Sequence, residues 1–356
     1  MNIHELIKLA VARKVSDLHL LVSYAPTIRI KGELYSLSAT YPPLSSLEIE
    51  QMIFSLINPK QKELLVANKE LDFSLEINMD DSVVVRFRVN AYYQRGTISA
   101  SFRIIPFKIP SVEELSLPSI LHEFTKLKQG FILITGASGQ GKSTTLASII
   151  AQINDNRKVH IVTIEDPIEY CFPPRKAIIS QREMYNDTHA WNRALKSALR
   201  EDPDVVLIGE MRDLETISSA LTIAETGHLV FSTLHTNSAA QSIDRIVDVF
   251  PAESKKQVQT QLSMVISGIV TQRLVPAISG ERVPVCEILT GTPAVRNTIR
   301  EGKIHLIDNI IQTSHDFGMM LFEEHLSQLV VKNIISPETA MEYAYRPDRY
   351  LELSKR

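Results

Sequence analysis

The sequence predicts an α/β protein: a core built on a parallel sheet, preceded by a smaller α+β domain and followed by a helical stretch. Three observations predict it. Residues 131–148 run from an apolar strand, Phe131–Ile134, through Gly136-x-x-x-x-Gly141-Lys142-Ser143 into a helix-forming segment. That order of strand, glycine-rich turn and helix is the setting of a P-loop. Beyond residue 131, near-continuous apolar strands alternate with amphipathic helices, as strands buried on both faces do. Before residue 105 apolar and polar residues alternate instead, as in an antiparallel sheet covered on one face. At 356 residues the chain is long enough for two cores.

In the first domain, expected over 1–105, Ile3, Leu6, Ile7, Ala10 and Val11 follow helical spacing. Strands are predicted around Leu18–Val22 and Thr27–Lys31, with Gly32 supplying a turn, and a further helix over Ser45–Leu56. Leu71, Phe73, Leu75 and Ile77 alternate with polar partners, as do Val83, Val85, Phe87 and Val89, and then Ile98, Ala100, Phe102 and Ile104. Arg86, Arg88 and Arg103 occupy the opposite face of these strands, and Arg95 sits in the Gln94-Arg95-Gly96 turn. Arginines gathered on one sheet face favour an anionic partner.

Pro106 and Pro110 interrupt both patterns, so 106–118 is expected to link the domains. The second domain, over 119–291, carries strands at Phe131–Ile134, Val159–Ile164, Val205–Ile208 and Leu229–Phe231. Between them run two helical stripes, one through Ala190, Trp191, Ala194, Leu195, Ala198 and Leu199, the other through Leu214, Ile217, Leu221 and Ala224 with Asp213 as N-cap. From 292 to 356 the pattern is helical: Thr292-Pro293 opens one helix, Gly302 stops it, and Ser336-Pro337-Glu338 opens the last.

Ligands of such sheets sit beyond the carboxyl ends of the strands. In the P-loop, backbone N–H groups of Gly136, Ala137, Ser138, Gly139, Gln140 and Gly141 can wrap phosphate oxygens, and the new helix adds its positive end. Lys142 reaches the β- and γ-phosphates, the Ser143 hydroxyl holds Mg²⁺, and Thr144 follows in the first helical turn. The other strands end in Glu165-Asp166-Pro167-Ile168-Glu169, Gly209-Glu210-Met211-Arg212-Asp213 and Ser232-Thr233-Leu234-His235-Thr236. Glu210 is a Walker-B-like carboxylate that can hold Mg²⁺ through water or orient the attacking water. Glu165 is its rival as general base, and the sequence leaves the division between them open. His235 is placed to sense a γ-phosphate, although histidines near strand ends, His228 included, often serve only the local structure. Transition-state charge calls for cations beyond Lys142, and the first-domain arginines are the candidates.

Composition bounds the partners. Hydrophobic residues make up 44% and charged ones 22%, an ordinary soluble balance, and the net charge of −3 gives no global attraction to nucleic acid or anionic lipid. A nucleic-acid motor would need a basic, aromatic-lined groove, which the absence of Lys/Arg runs argues against. Cys171 and Cys286 alone make neither a disulfide framework nor a four-cysteine zinc site. The first residues lack a signal-peptide pattern, and no apolar run reaches the ~18 residues that span a bilayer. A cytoplasmic protein is expected, without direct membrane insertion.

Taken together, these segments resemble the family of type IV pilus retraction ATPases within the type II/IV secretion ATPase superfamily. Gly136–Ala147 resembles its Walker A, Thr163–Tyr170 its aspartate box, Ser197–Thr216 its Walker B region and Glu225–Thr236 its histidine box. Ser16-Asp-Leu-His-Leu20 and Arg86-Phe-Arg-Val-Asn90 are similar to its N-terminal domain. The resemblance implies a RecA-like P-loop ATPase core joined to a PAS-like domain by a flexible linker, with ATP and Mg²⁺ bound between them. It implies Glu165 as catalytic glutamate, Glu210 as Walker B glutamate, His235 as γ-phosphate contact, and Arg88, Arg95 and Arg103 near the nucleotide-sensing arginines. It also implies a homo-hexameric ring at the inner face of the cytoplasmic membrane, acting on an inner-membrane pilus platform protein so that pilins leave the pilus base during twitching motility. A paralogous motor ATPase is a further possible partner. Ala294-Val-Arg-Asn-Thr-Ile-Arg-Glu301 is similar to the family's retraction motif, with Thr298 in place of its usual Leu. The P-loop departs from the usual Gly-Pro-Thr-Gly-Ser-Gly-Lys-Ser at Ala137, Ser138 and Gln140. These departures keep two alternatives open: an accessory nucleotide-binding modulator of another retraction motor, and a pilus extension or type II secretion ATPase.

Overall fold

The computed structural model describes residues 2–13, 15–30, 32–80, 83–105 and 108–353. Lys31 of the expected second strand, Pro106 and Phe107 of the expected linker, and 354–356 of the helical tail lie outside the described residues. The chain divides into two compact units, Met1–Lys108 and Ile109–Arg356.

In the first unit α1 (Ile3–Ala12) starts where the Asn2 side chain accepts the His4 N–H, and it buries Ile3, Leu6, Ile7 and Ala10. Strands β1 (Asp17–Leu20), β2 (Thr27–Ile30) and β3 (Glu33–Ser36) follow, then α2 (Ser46–Phe54) and α3 (Pro59–Asn68). Both helices open on reciprocal caps, Ser45 with Glu48 and Asn58 with Gln61. The long strands β4 (Glu70–Asp80), β5 (Val83–Gln94) and β6 (Thr97–Ile104) complete an antiparallel sheet of order β3-β2-β1-β6-β5-β4. Phe87, Val89, Ala100 and Phe102 are fully buried against the helices. Each large side chain removed from water in this way contributes roughly 1.5–3 kcal/mol. Strict alternation then sends Arg88 and Arg103 to the other face, where they are directly cross-strand neighbours.

The second unit opens earlier than the expected boundary at 119. Val112 and Leu117, placed in the linker by the sequence reading, are buried in this unit's core beside α4 (Leu121–Lys126). Its strands are β7 (Gly130–Thr135), β8 (His160–Glu165), β9 (Ile178–Glu183), β10 (Val205–Ile208), β11 (Leu229–Leu234), β12 (Ile266–Pro276) and β13 (Arg282–Thr290). They form one sheet of order β13-β12-β7-β11-β10-β8-β9, parallel except for the antiparallel β12–β13 pair. Three of these strands, β9, β12 and β13, were not legible as strands. The Ile178-Ile-Ser-Gln-Arg-Glu run of β9 is an edge strand with only two apolar residues, and β12 continues directly from a helix and carries Gly268. That glycine is required, because a Cβ there would lie 2.5 Å from the Phe124 ring.

Helices cover both faces of the sheet. On one side lie α4 and α5 (Lys142–Asn156), which buries Leu146, Ile149, Ile150 and Ile153. On the other lie α6 (Trp191–Ala198), α7 (Leu214–Glu225), α8 (Ala239–Asp248), α9 (Lys255–Val265) and α10 (Pro293–Glu301). Within β7 the residues take turns: Phe131 and Leu133 join the second layer, Ile132 and Ile134 the first. Asp213 caps α7, Thr292 caps α10, and Gly302 ends α10 in the left-handed region, all as the sequence predicts. The tail contains α11 (Ile307–Thr313), α12 (Phe322–Val331), α13 (Pro337–Tyr343) and α14 (Pro347–Leu353). The helix opened by Ser336-Pro337 is therefore α13, and a further short helix follows it. No described helix is long and apolar enough to cross a membrane.

Candidate active site

The phosphate loop joins β7 to α5 at the carboxyl end of the sheet. Gly136, Gly139 and Gly141 have φ of 141°, 75° and 84°, a region that side chains disfavour. Gly136 has a second constraint, since a Cβ on it would lie 2.3 Å from the Gln272 carbonyl of β12. Ala137, Ser138 and Gly139 are exposed at the crest, whereas Lys142 at the start of α5 is buried. Its Nζ donates to the Gly136 and Ala137 carbonyls at 2.8 and 2.9 Å, which holds the ammonium over the loop. Burial lowers its pKa, while Glu210 and Glu169 act in the opposite sense. Ser143 and Thr144 follow in the first turn, half-buried, and the Thr144 hydroxyl meets the Tyr170 hydroxyl at 3.0 Å.

Glu165 ends β8, where Thr163 Oγ1 donates to its Oε1 at 2.7 Å and Gln181 Nε2 of β9 approaches the same oxygen at 3.4 Å. Burial pushes its carboxyl up to about 7, outweighing the opposing effect of those bonds. Glu210 lies just past β10 in a different setting. Its Oε2 pairs with Arg212 at 2.9 Å and its Oε1 with His235 Nε2 at 3.1 Å. Burial alone would raise this carboxyl, but Arg212, His235 and Lys142 outweigh it and hold it below its ordinary value. The two acids are thereby driven apart, one toward a proton acceptor working near neutrality and one toward a permanent anion. The His228 ring bonds the Ile223 carbonyl at 3.0 Å and Thr226 at 3.1 Å, and so serves the turn before β11.

Lys142, Glu210 and His235 are thus gathered at neighbouring strand ends, with Glu165 closing the adjacent one. A cleft of about 470 Å³ opens beside them, lined by Glu210, Arg212, His235, Gln241, Asp244 and Arg245. A second of about 470 Å³ opens beside Gly141, Thr144 and Thr145. The sequence reading missed Arg212, Gln181 and Gln272 as contributors. Arg212 sits two residues from Glu210 in a stretch already singled out, but the glutamines lie on strands without a clear pattern.

The three arginines belong to the first unit. Arg88 is exposed on the sheet face away from the core. Arg103 donates from Nε to Asp17 Oδ1 at 2.9 Å. Arg95 sits in the β5–β6 turn at φ 49° and borders a cleft of about 690 Å³ with His19, Tyr24, Arg29 and Tyr92. Arg86 is tied to Glu76 at 2.7 Å.

A family model described as "type II/IV secretion system protein" matches residues 55–334. The chain belongs to this type II/IV secretion system family. Among family relatives, the type IV pilus retraction ATPase PilT of Pseudomonas aeruginosa is 45% identical over 350 residues, 98% of this chain and 100% of that protein. A twitching motility protein of Neisseria gonorrhoeae is 46% identical over 320 residues, 90% of this chain and 84% of that protein. The crystal structure of the pilus retraction motor PilT with bound ADP matches with a TM-score of 0.92 at 42% identity, covering 99% of each chain. The expected α/β fold of a P-loop ATPase in this family therefore stands.

Proposed function

We propose that this chain is a motor ATPase that couples ATP hydrolysis to type IV pilus retraction and twitching motility. The observation that carries the reading is the split between two carboxylates at adjacent strand ends beside a buried P-loop lysine. Glu165, raised to about 7, is suited to take the proton of the attacking water. Glu210 stays anionic and is pinned by Arg212 and His235, so His235 shares a bond that changes when the γ-phosphate arrives or leaves. Lys142 supplies fixed positive charge, and backbone N–H groups of 136–141 with the N-terminus of α5 supply the rest of the phosphate cradle.

The donor set also fits Mg²⁺. No group of three or more His, Cys, Asp or Glu suited to a metal occurs among the described residues. The Ser143 hydroxyl in the first turn of α5 and the Glu210 carboxylate, held below its ordinary value, are oxygen donors of the kind that suit an ion shared with phosphates and water. When bound, Mg²⁺ neutralises charge on the phosphates. Arg88, Arg95 and Arg103 of the first unit are the candidate nucleotide-sensing arginines. The working form is a cytoplasmic homo-hexamer, peripheral to the membrane, acting on an inner-membrane platform protein of the pilus.

The test is biochemical and cellular together. Lys142→Ala and Glu210→Ala should each abolish ATP turnover, and activity surviving both overturns the mechanism. Deleting the gene should leave cells piliated but unable to twitch. Bald cells would assign the extension role instead, and normal twitching an accessory one.

A further inference from the structure

Strand β12 holds the phosphate loop at three points. The Gln272 carbonyl sits where only glycine fits at position 136. The Gln272 side chain, buried on β12, donates from Nε2 to the Gln140 carbonyl at 2.7 Å and accepts the Thr145 hydroxyl on Oε1 at 2.7 Å. Gln140 answers with its own side chain, whose Oε1 accepts the Leu274 N–H at 2.6 Å. One strand therefore grips the entry of the loop, its last turn before the lysine, and the first turn of α5.

We infer that Gln140 and Gln272 are positioning residues that hold the phosphate loop in its nucleotide-binding shape from β12, and so set nucleotide affinity more than the chemical step. This rests on the reading that Gly136–Ser143 binds the phosphates. A loop ordered before the ligand arrives saves the ordering entropy that would otherwise weaken binding. Its N–H groups face phosphate only if the carbonyls on the other side of the peptide planes are taken elsewhere, and Gln272 Nε2 takes that of Gln140. The Thr145 hydroxyl, fully buried, is satisfied by the same side chain. Serine, the residue the family pattern has at 140, is two carbons too short to reach the Leu274 N–H. Gln140 is thus an added stitch, not a defect.

The experiment uses full-length Gln140→Ser, Gln272→Leu, Gln272→Glu and Lys142→Ala. It reads the Kd of fluorescent mant-ADP, ATPase KM and kcat, and the thermal midpoint. Each lost hydrogen bond should raise the mant-ADP Kd and the KM by roughly three- to tenfold, with a smaller fall in kcat. Gln272→Leu, which removes two bonds, should exceed Gln140→Ser. Gln272→Glu keeps the acceptor for Thr145 but sets a carboxylate oxygen against the Gln140 carbonyl, so its loss should equal or exceed that of Gln272→Leu. If Gln140→Ser and the Gln272 variants bind mant-ADP as tightly as wild type while Lys142→Ala does not, the stitch is only structural and the inference fails alone. If Lys142→Ala also binds normally, the phosphate-loop reading itself is wrong. Should Gln272→Leu not fold, Gln140→Ser still decides, since its side chain is only half-buried.

Discussion

Replacing Glu165 by glutamine should abolish turnover and stabilise the protein in the same stroke. Its carboxyl is raised from 4.5 to about 7 by burial. Below pH 4.5 the group is protonated in both folded and unfolded chains and contributes nothing to the pH dependence. Between pH 4.5 and 7 the unfolded chain ionises while the folded one resists, so stability falls as pH rises, and above 7 the loss is complete. A difference of about 2.5 units at about 1.36 kcal/mol each sets an upper bound of roughly 3 kcal/mol. Glutamine keeps a side-chain oxygen for the Thr163 hydroxyl, which now bonds Glu165 at 2.7 Å, and carries no charge to desolvate. The assay is urea unfolding of wild type and Glu165→Gln at pH 5 and pH 8. The variant's advantage should widen by about 2.5 kcal/mol between the two, because part of the loss is already present at pH 5, while its ATPase activity is lost at both. An advantage that does not change with pH would refute the account of Glu165 as a base raised by burial.

Two further outcomes follow from groups outside the phosphate site. Arg346 bonds Glu323 at 3.1 Å, approaches Glu287 at 3.6 Å and pairs with Asp308, so it faces three acids of which two are buried. Arg346→Met should cost about 3 kcal/mol at pH 8, read from the urea midpoint. The loss should shrink toward pH 5, because burial already pushes Glu287 up to about 7 and protonation relieves the unpaired charge; a loss below about 0.5 kcal/mol at pH 8 would show that Arg346 is dispensable. The exposed Cys171 should react with DTNB in the native state, whereas Cys286, buried with its thiol pushed up to about 12, should react only after unfolding.

Much of the second unit was legible because its signals are local. The apolar run before Gly136 forces a buried strand, the glycines have no alternative at positive φ, and caps such as Asp213 and Thr292 act within four residues. Glu165, Glu210 and His235 were found because each ends an apolar run. The β12–β13 hairpin was not found, since Gly268 and the polar Thr271, Gln272 and Arg273 break the pattern. Those polar residues are tolerated because their partners come from elsewhere: Thr135 for Thr271, Gln140 and Thr145 for Gln272, and the Tyr343 carbonyl for Arg273. Likewise the pairing of Arg212 with Glu210 is close in sequence, yet its consequence depends on His235 and Lys142 arriving from other strands.

The sequence by itself determined the strands and helices around the phosphate loop, the loop itself and the carboxylates at the strand ends, because periodicity, glycine geometry and capping act over a few residues. Only the tertiary structure decided which carboxylate stays charged. Glu165 is withdrawn from water beside Thr163 and Gln181 and rises to about 7; Glu210 meets Arg212, His235 and Lys142 and falls. That difference is made by desolvation and by groups from other strand ends: the sequence shows Arg212 two residues from Glu210, but not that His235 and Lys142, tens of residues away, act on the same carboxylate. The same holds for the phosphate loop, whose shape is secured by Gln272, a residue 132 positions beyond Gln140 and brought beside it by the pairing of β12 with β7.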